Sequence, residues 1–353
     1  MKKTIRDYRM RIWVKIVAAI FFVGAVHTFS SSNSYGGPTP EGTNVEKKPH
    51  VSISDPYHPS PSELAAVARE IKDRVECTVT PLLNGKVLIA GGNPGIVQGG
   101  TVWSSSEGSF NGHLAILVTA ELYDPATGRM TLTGAMSAPR VGASAVLLPN
   151  GKVLMAGGEN WVDIPKTYTS AELYDPSSGR FVPTGEMSDP RQYATTVLLK
   201  TGQVLVAGGY HLDDKGLATG GLVTAEIYDP RSGAFRPTGN MTTVRSMYCM
   251  GCKPAARILQ DGRVLLAGGI NADGDVLSSA EIYDPSSGTF SATGSMKRPR
   301  VSASATLLDD GRVRIDDGAF HHLYGKGMVH PGFIQVGMAP EFYSPAAGTF
   351  SAQ

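Results

Sequence analysis

The sequence predicts an all-β protein in which one four-stranded sheet is repeated five times. The first observation is a repeated motif, Ala-Glu-(Leu/Ile)-Tyr-Asp-Pro-x-(Ser/Thr)-Gly, which we call the cassette. It begins at Ala120, Ala171, Ala225 and Ala280, and a degenerate copy begins at Pro340. The second observation is its spacing, because the central tyrosines of the five copies lie 51, 54, 55 and 60 residues apart. Self-similarity at about this period is typical of propellers and solenoids.

Each repeat contains the signals of four antiparallel strands. Two short apolar runs meet at a Gly-containing pair that favours a tight hairpin turn. These pairs are Asn84-Gly85, Asn150-Gly151, Thr201-Gly202, Asp261-Gly262 and Asp310-Gly311. A loop of variable length then leads to a third strand through the cassette, and Asp-Pro-x-x-Gly turns the chain into a fourth. In that turn Asp bonds its own backbone, Pro presets φ, and Gly accepts the left-handed conformation.

The repeat resembles the kelch repeat, in the variety found in bacterial proteins and in the central domain of galactose oxidase. The resemblance rests on the second strand ending in Gly-Gly, on the later Tyr-Asp-Pro, and on one apolar or aromatic residue after it. That last residue is Met130, Phe181, Phe235, Phe290 or Phe350. The resemblance covers about Cys77 to Gln353 and implies a kelch-type β-propeller of five recognisable four-stranded blades. Their expected bounds are about 77–136, 137–187, 188–241, 242–296 and 297–353.

Blade number is an open question at this point. Kelch propellers usually have six or seven blades, and in the fifth copy Val313-Arg314-Ile315-Asp316-Asp317-Gly318 stands where an apolar strand ending in Gly-Gly is expected. Either the ring closes with five blades or the propeller is incomplete. In a closed ring, we expect blade 1 to pack against blade 5 without strand exchange.

The N-terminal 29 residues predict a signal peptide or a membrane anchor. Six basic residues and one acidic residue occupy the first 15 positions, and an 11-residue apolar run, Ile16–Val26, follows. That length suits the core of a signal peptide and falls short of the roughly 20 residues of a spanning helix. Cleavage and anchoring through residues 12–29 are both open. Either way we expect the propeller outside the cytoplasm, as a periplasmic, extracellular or membrane-anchored domain.

The segment between the N-terminus and the propeller has two predicted parts. Residues 30–62 are rich in Ser, Gly and Pro, which predicts a flexible spacer. Residues 63–76 show the apolar periodicity of a short helix. Beyond residue 15 the chain carries 26 basic and 30 acidic residues, a balance that argues against nucleic-acid binding.

Histidines mark the predicted binding face. All five propeller histidines, His113, His211, His321, His322 and His330, fall between second and third strands. Connections between the same pair of strands emerge on one face of a propeller, and variable loops on a rigid scaffold are the usual place for binding. We therefore expect a protein or carbohydrate ligand on this face. His321, His322 and His330, which share one loop, are candidate metal ligands.

Four arginines are candidate ligand-binding residues. Each ends a Met-x-x-x-Arg motif just before an inner strand, at Arg140, Arg191, Arg245 and Arg300. Guanidinium groups near the mouth of an axial channel would suit a carboxylate or another anion. The alternative is structural, with each arginine bonding neighbouring backbone or acidic groups within the repeat.

A cysteine pair distinguishes blade 4. An insertion of seven residues there contains Cys249-Met250-Gly251-Cys252. A C-x-x-C motif is compatible with a redox pair, half of a zinc site, or a disulfide. In an oxidising compartment a structural disulfide is favoured, and Cys77 is a possible partner for either cysteine.

The sequence favours an exported binding or interaction module. We expect no catalytic residues and no cofactor, because no nucleophile–base constellation, phosphate loop or paired-carboxylate motif stands out. The resemblance supplies an alternative, a copper-dependent oxidase related to galactose oxidase, which holds its copper with Tyr and His and carries a Cys–Tyr crosslink. In the propeller, Tyr210-His211 is the only adjacent Tyr-His pair, and no cysteine matches the crosslink.

Overall fold

The computed structural model describes ten parts of the chain: residues 74, 76–93, 96–97, 101–104, 108–110, 116–160, 166–213, 218–246, 252–318 and 338–352. The predicted signal or anchor segment and the predicted spacer lie outside these residues. So does nearly all of the helix predicted over 63–76, although Arg74 and Glu76 are described and are not helical. Within the described residues, no helix has the length and apolar character needed to span a membrane.

Five four-stranded antiparallel sheets form the fold, and strands are numbered in chain order. The first comprises β1 (Thr78–Pro81), β2 (Val87–Ala90), β6 (Ala120–Asp124) and β7 (Arg129–Leu132). The second comprises β8 (Ser144–Leu147), β9 (Val153–Ala156), β12 (Ala171–Asp175) and β13 (Arg180–Pro183). The third comprises β14 (Thr195–Leu198), β15 (Val204–Ala207), β18 (Ala225–Asp229) and β19 (Ala234–Pro237).

The fourth sheet comprises β20 (Ala255–Ile258), β21 (Val264–Ala267), β22 (Ala280–Asp284) and β23 (Thr289–Thr293). The fifth comprises β24 (Ser304–Leu307), β25 (Val313–Asp316), β26 (Glu341–Ser344) and β27 (Thr349–Ala352). Each sheet is built from one continuous repeat, as predicted, and we call the sheets blades 1 to 5. The first, second, third and fourth strands of a blade are its innermost, second, third and outermost strands.

The predicted turns are confirmed. Gly85, between β1 and β2, has φ 79°, and the equivalent glycines also have positive φ. In the cassette turn of blade 1, Asp124 Oδ1 accepts a hydrogen bond from the Ala126 amide at 2.9 Å, and the Gly128 amide donates to the Asp124 carbonyl at 2.8 Å. The Asp-Pro-x-x-Gly sequence therefore closes the hairpin by the local bonds that its residue types favour.

The blades pack side by side in chain order. The innermost strands contact their sequence neighbours, β1 with β8, β8 with β14, β14 with β20, and β20 with β24. An apolar cluster lies between each consecutive pair of blades, for example around Leu88 and Val153 between blades 1 and 2. Among the described strands, β1 and β24 share no contact of comparable extent. The continuous core therefore runs from blade 1 to blade 5 through four interblade layers.

The cassette tyrosines join consecutive blades. In blades 2 to 5, the cassette tyrosine hydroxyl lies 2.8–2.9 Å from the hydroxyl of a threonine that ends the outermost strand of the preceding blade or directly follows it. The pairs are Tyr174 with Thr133, Tyr228 with Thr184, Tyr283 with Thr238, and Tyr343 with Thr293. The glycine after each threonine donates its amide to the next blade, as from Gly134 to the Gly179 carbonyl at 2.8 Å. A Cβ atom on Gly134 would overlap that carbonyl, so this approach requires glycine.

The outward side of blade 5 differs from the other blades. Leu88, Leu154 and Leu265, on second strands, are fully buried between blades. The equivalent position in β25 is Arg314, which is exposed and pairs with Asp316 at 2.7 Å. At this position blade 5 therefore has an exposed charged side chain where the other blades have a buried leucine.

Additional strands occupy the loops between second and third strands. Blade 1 carries β3 (Ile96–Val97), β4 (Thr101–Ser104) and β5 (Gly108–Phe110). Blade 2 carries β10 (Glu159–Asn160) and β11 (Lys166–Thr167), and blade 3 carries β16 (Tyr210–Leu212) and β17 (Ala218–Gly221). The hairpins of blades 2 and 3 touch, because the Leu212 amide donates to Thr167 Oγ1 at 3.0 Å. These two loops therefore share one end of the fold, which we call the loop end.

Candidate functional site at the loop end

The four predicted arginines lie at the loop end but are buried, with 0–1% of each residue exposed. Arg140 donates to Glu172 Oε1 from Nε and Nη2, at 3.3 and 3.1 Å. Its Nη1 donates to the carbonyls of Gly157 and Ser170 at 2.7 and 3.0 Å. Its own carbonyl accepts the Gly92 amide of blade 1 at 2.8 Å. Arg140, Arg191 and Arg300 therefore fix their own blade through the side chain and the preceding blade through the backbone carbonyl. The Arg245 carbonyl instead accepts the Ile270 amide of its own blade at 3.1 Å.

The same ion pair recurs with the glutamate of every later cassette. Arg191 pairs with Glu226 at 3.1 Å, Arg245 with Glu281 at 2.5 Å, and Arg300 with Glu341 at 3.2 Å. These guanidinium groups bond carbonyl and carboxylate oxygens within the blades. The structural alternative accounts for all four contacts. A role in ligand binding stays a prediction that none of these contacts supports.

A fifth arginine, Arg74, was missed by the sequence analysis. Its Nε donates to Glu121 Oε2 at 3.0 Å, and its Nη1 donates to the carbonyls of Thr119 and Gly91 at 2.9 and 3.2 Å. Arg74 has no preceding Met-x-x-x, but it lies 17 residues before Gly91, and the same 17 residues separate Arg140 from Gly157. That spacing was the available signal. The repeat of blade 1 thus begins at Arg74, inside the segment for which a helix was predicted.

A buried polar cluster lies beside these arginines and the groups that they bind, which we call the clamps. Glu76 and Asn93 come from blade 1, Glu159 from blade 2, and Gln192 and Tyr193 from blade 3, and we call these five residues the loop-end cluster. Glu76 and Tyr193 precede innermost strands, whereas Asn93 and Glu159 follow the paired glycines that end second strands. Since both kinds of position occur at the end where loops emerge, the repeat itself brings these side chains together.

Hydrogen bonds connect the cluster across three blades. Glu76 accepts from Tyr193 Oη at 2.7 Å and from Asn93 Nδ2 at 3.1 Å. Glu159 accepts from Gln192 Nε2 at 2.6 Å. The Tyr193 ring stacks on the Tyr210 ring, with centroids 5.8 Å apart and planes at 15°. Gln192 Oε1 is buried and has no hydrogen-bond partner among the described residues.

Burial shapes the electrostatics of the cluster. It raises the pKa of Glu159 to about 8, with a smaller upward contribution from the charge of Glu76, and the hydrogen bond from Gln192 opposes the rise. Burial also raises the pKa of Glu76, against the hydrogen bonds from Tyr193 and Asn93. The pKa of Tyr193 lies well above its usual value, chiefly because the ring is buried. Perturbed carboxyl groups of this kind are enriched at functional sites.

Backbone strain accompanies these side chains. Glu76, Gly142, Tyr193 and Ser302 share one repeat position, two residues after the arginine, with φ of 58°, 63°, 51° and 54°. A residue other than glycine costs about 1–2 kcal/mol in this conformation. Blade 2 avoids the strain with Gly142, and a Cβ atom there would lie 2.7 Å from the Tyr193 ring. Gly142 thus leaves room for Tyr193 to cross blade 2 and reach Glu76.

The candidate metal ligands His321, His322 and His330 lie outside the described residues, as does His113. His211 is described, and its Nε2 lies 3.0 Å from Thr219 Oγ1 within the β16–β17 hairpin. Across the described parts of the chain, no three His, Cys, Asp or Glu side chains are grouped so that they could hold a metal ion.

The structure shows the bonding state of two of the three cysteines. Cys252 is buried and disulfide-bonded, whereas Cys77 is a free thiol, so Cys77 as a disulfide partner was wrong. Burial raises the pKa of Cys77 to about 11, which leaves the thiol protonated and unreactive near neutral pH. Cys249 lies outside the described residues. Leu259 and Leu199 occupy equivalent turn positions, so the insertion in blade 4 has six residues and not seven.

Comparisons with known proteins agree with this architecture. A family model described as Kelch motif matches residues 259–297. Galactose oxidase of Gibberella zeae is 26% identical over 208 residues, which cover 57% of this chain and 27% of that protein. Spermatocyte protein spe-26 of Caenorhabditis elegans is 27% identical over 135 residues, or 38% of this chain and 22% of that protein. The structure of YjhT superimposes with a TM-score of 0.55 at 13% identity, covering 79% of this chain and 84% of that one.

The repeated blades, their interblade contacts and the family match define a kelch-repeat β-propeller protein. Its sequence similarity to galactose oxidase supports a galactose oxidase-like protein, and the chain spans about a quarter of the length of those relatives. The likeness to YjhT, at its low identity, shows the fold alone.

Proposed function

We propose that this protein is an exported binding module that engages a protein or carbohydrate ligand at its loop end. The loop-end cluster is the observation that carries the proposal. It places the buried carboxyl of Glu159, the half-buried carboxyl of Glu76 and Gln192 Oε1, which has no partner among the described residues, where loops from blades 2 and 3 meet. An interaction role is supported by the Kelch motif match and by the similarity to an F-box/kelch-repeat protein of Arabidopsis thaliana. Export, or anchoring through residues 12–29, follows from the charge and apolar pattern of the N-terminus.

Array binding with matched variants tests this proposal. The labelled full-length protein is applied to a glycan array and a peptide array, beside Tyr193→Phe and Asn84→Ala. Tyr193→Phe removes the hydroxyl that binds Glu76, whereas Asn84 lies in the β1–β2 turn at the opposite end of blade 1. We expect signals that are lost in Tyr193→Phe and kept in Asn84→Ala. Signals that are lost only in Asn84→Ala would place binding at the wrong end and contradict the proposal.

A copper-dependent oxidase is the second candidate, favoured by the sequence similarity to galactose oxidase. The histidines that could contribute to a copper site, apart from His211, lie outside the described residues. Metal analysis of the purified full-length protein separates the two candidates. Stoichiometric copper, together with copper-dependent oxidation of primary alcohols, would favour the oxidase. A preparation that stays metal-free after incubation with copper would end it.

A further inference from the structure

We propose that the loop-end cluster recognises a cationic nitrogen group, an alkylammonium or a guanidinium, carried by the ligand. This inference rests on the proposed function, because it names the chemistry of the ligand at the same site. It starts from the hydrogen-bond inventory of the cluster. Asn93, Gln192 and Tyr193 each direct a donor to a carboxylate oxygen. Gln192 Oε1 is a buried acceptor that has no partner among the described residues, so the cluster calls for a ligand that donates.

The charge of the cluster points the same way. The charge of Glu76 helps to raise the pKa of Glu159, and among the described residues neither carboxyl group forms an ion pair with a basic side chain. The neighbouring guanidiniums are already engaged, Arg140 by Glu172 and Arg74 by Glu121. A ligand cation would therefore place a positive charge beside two carboxyl groups that have no basic partner among the described residues.

Aromatic surface adds to the fit. The stacked rings of Tyr193 and Tyr210 stand next to the carboxyl of Glu76, to which the Tyr193 hydroxyl is bonded. Cations are attracted to aromatic rings as well as to carboxylates. Carboxylates flanked by aromatic rings thus form a site of the kind that holds ammonium and guanidinium groups.

Proton linkage gives this proposal a specific signature. Among the described residues, the titratable groups that interact electrostatically with Glu159 are Glu76 and Tyr193, and neither is basic. Below about pH 8 the carboxyl of Glu159 is largely protonated. A bound cation favours the ionised form, so binding releases up to one proton, and affinity rises by up to about tenfold per pH unit until that range is passed. A neutral polyol ligand would not produce this behaviour.

The test uses isothermal titration calorimetry on the full-length protein at pH 6, 7 and 8, in buffers of different ionisation enthalpy. The probes are an N-acetyl-Gly-Lys-Gly-amide peptide, its Nε-acetylated form, free pentylamine and a neutral methyl glycoside. We expect the lysine peptide to bind with proton release and at least tenfold more tightly at pH 8 than at pH 6. The acetylated peptide should bind at least tenfold more weakly. Comparable binding of pentylamine would identify a free amine as the source, and preference for the peptide a protein side chain.

Two matched variants separate the cluster from general charge attraction. Glu159→Gln is nearly isosteric with the protonated carboxyl and should fold, as a thermal melt will verify. It should weaken binding of the lysine peptide at least tenfold and abolish the pH dependence. Asp273→Asn removes one exposed acid from a blade 4 loop and should change affinity less than about threefold. Equal losses in both variants, or equal binding of the acetylated peptide, would overturn the inference.

The outcomes also distinguish this inference from the proposed function. Binding of the neutral glycoside that is lost in Glu159→Gln would refute a cationic ligand and leave loop-end binding intact. If array signals and titrations are all insensitive to Glu159→Gln and Tyr193→Phe, both proposals fail together.

Discussion

Arg140→Ala should reduce the free energy of unfolding by about 3–5 kcal/mol, because it leaves a carboxylate buried without its partner. Side-chain exposure is 0% for Arg140 and 2% for Glu172. The substitution also removes the donors to the carbonyls of Gly157 and Ser170. Each kcal/mol corresponds to roughly 2–4 °C in a domain of 150–250 residues, so the melting temperature should fall by roughly 6 °C or more. Thermal and urea denaturation of the full-length protein measure this.

An exposed ion pair supplies the control. Arg312 and Asp310 lie 2.7 Å apart with side chains 46% and 50% exposed. Arg312→Ala should therefore cost only about 0–1 kcal/mol. The double variant Arg140→Met with Glu172→Gln removes both buried charges and should recover much of the loss. If Arg140→Ala destabilises no more than Arg312→Ala, the clamp interpretation is refuted and a ligand role for the arginine regains support.

Three further predictions concern single side chains. Tyr228→Phe removes the hydroxyl that bonds Thr184 at 2.8 Å and should lower stability by about 0.5–1.5 kcal/mol in urea denaturation. Gly128→Ala should cost about 1–2 kcal/mol, because Gly128 has open space around it but a φ of +66°. Gly134→Ala should destabilise the protein more, because the added Cβ would overlap the Gly179 carbonyl. Equal melting temperatures of the two variants would contradict the close approach at Gly134. In the folded protein the pKa of Glu159 is about 8, against an ordinary value of 4.5. Between about pH 4.5 and 8 the folded state therefore holds a proton that the unfolded state has lost. The free energy of unfolding should fall as the pH rises through this range. Glu159→Gln should flatten that slope in pH-resolved melts, and an unchanged slope would contradict the assignment.

Much of the fold could be predicted because each repeat contains local sequence signals for its own strands and turns. The turn pairs, the Asp-Pro-x-x-Gly motif and the cassette tyrosines each act within a few residues, and their fivefold recurrence removes ambiguity. The partners of the tyrosines and arginines could not be predicted in the same way. Tyr228 bonds a threonine 44 residues earlier, and Arg140 pairs with a glutamate 32 residues later. Such pairs are fixed by how one blade lies against the next.

The candidate site was harder to predict for a related reason. Glu76, Glu159 and Tyr193 belong to three different blades, and none carries a motif that marks it in the sequence. Their shared feature is position, either two residues after the arginine or directly after the paired glycines. The repeat pattern therefore predicted the end of the fold at which the loop-end cluster lies, whereas the cluster residues themselves are departures from that pattern. When Arg74 is aligned with Arg140 and Arg191, the position two residues later is Glu76 in blade 1, Gly142 in blade 2 and Tyr193 in blade 3.

A crystal structure of the protein tests the central claim most directly, since it shows the loop end and the interblade clamps together. The account predicts Tyr193 Oη within hydrogen-bond distance of Glu76, with Asn93, Glu159 and Gln192 gathered at the same end of the innermost strands. Electron density that places Glu76 and Tyr193 at separate sites, or second-to-third-strand loops at opposite ends of the blades, would contradict it.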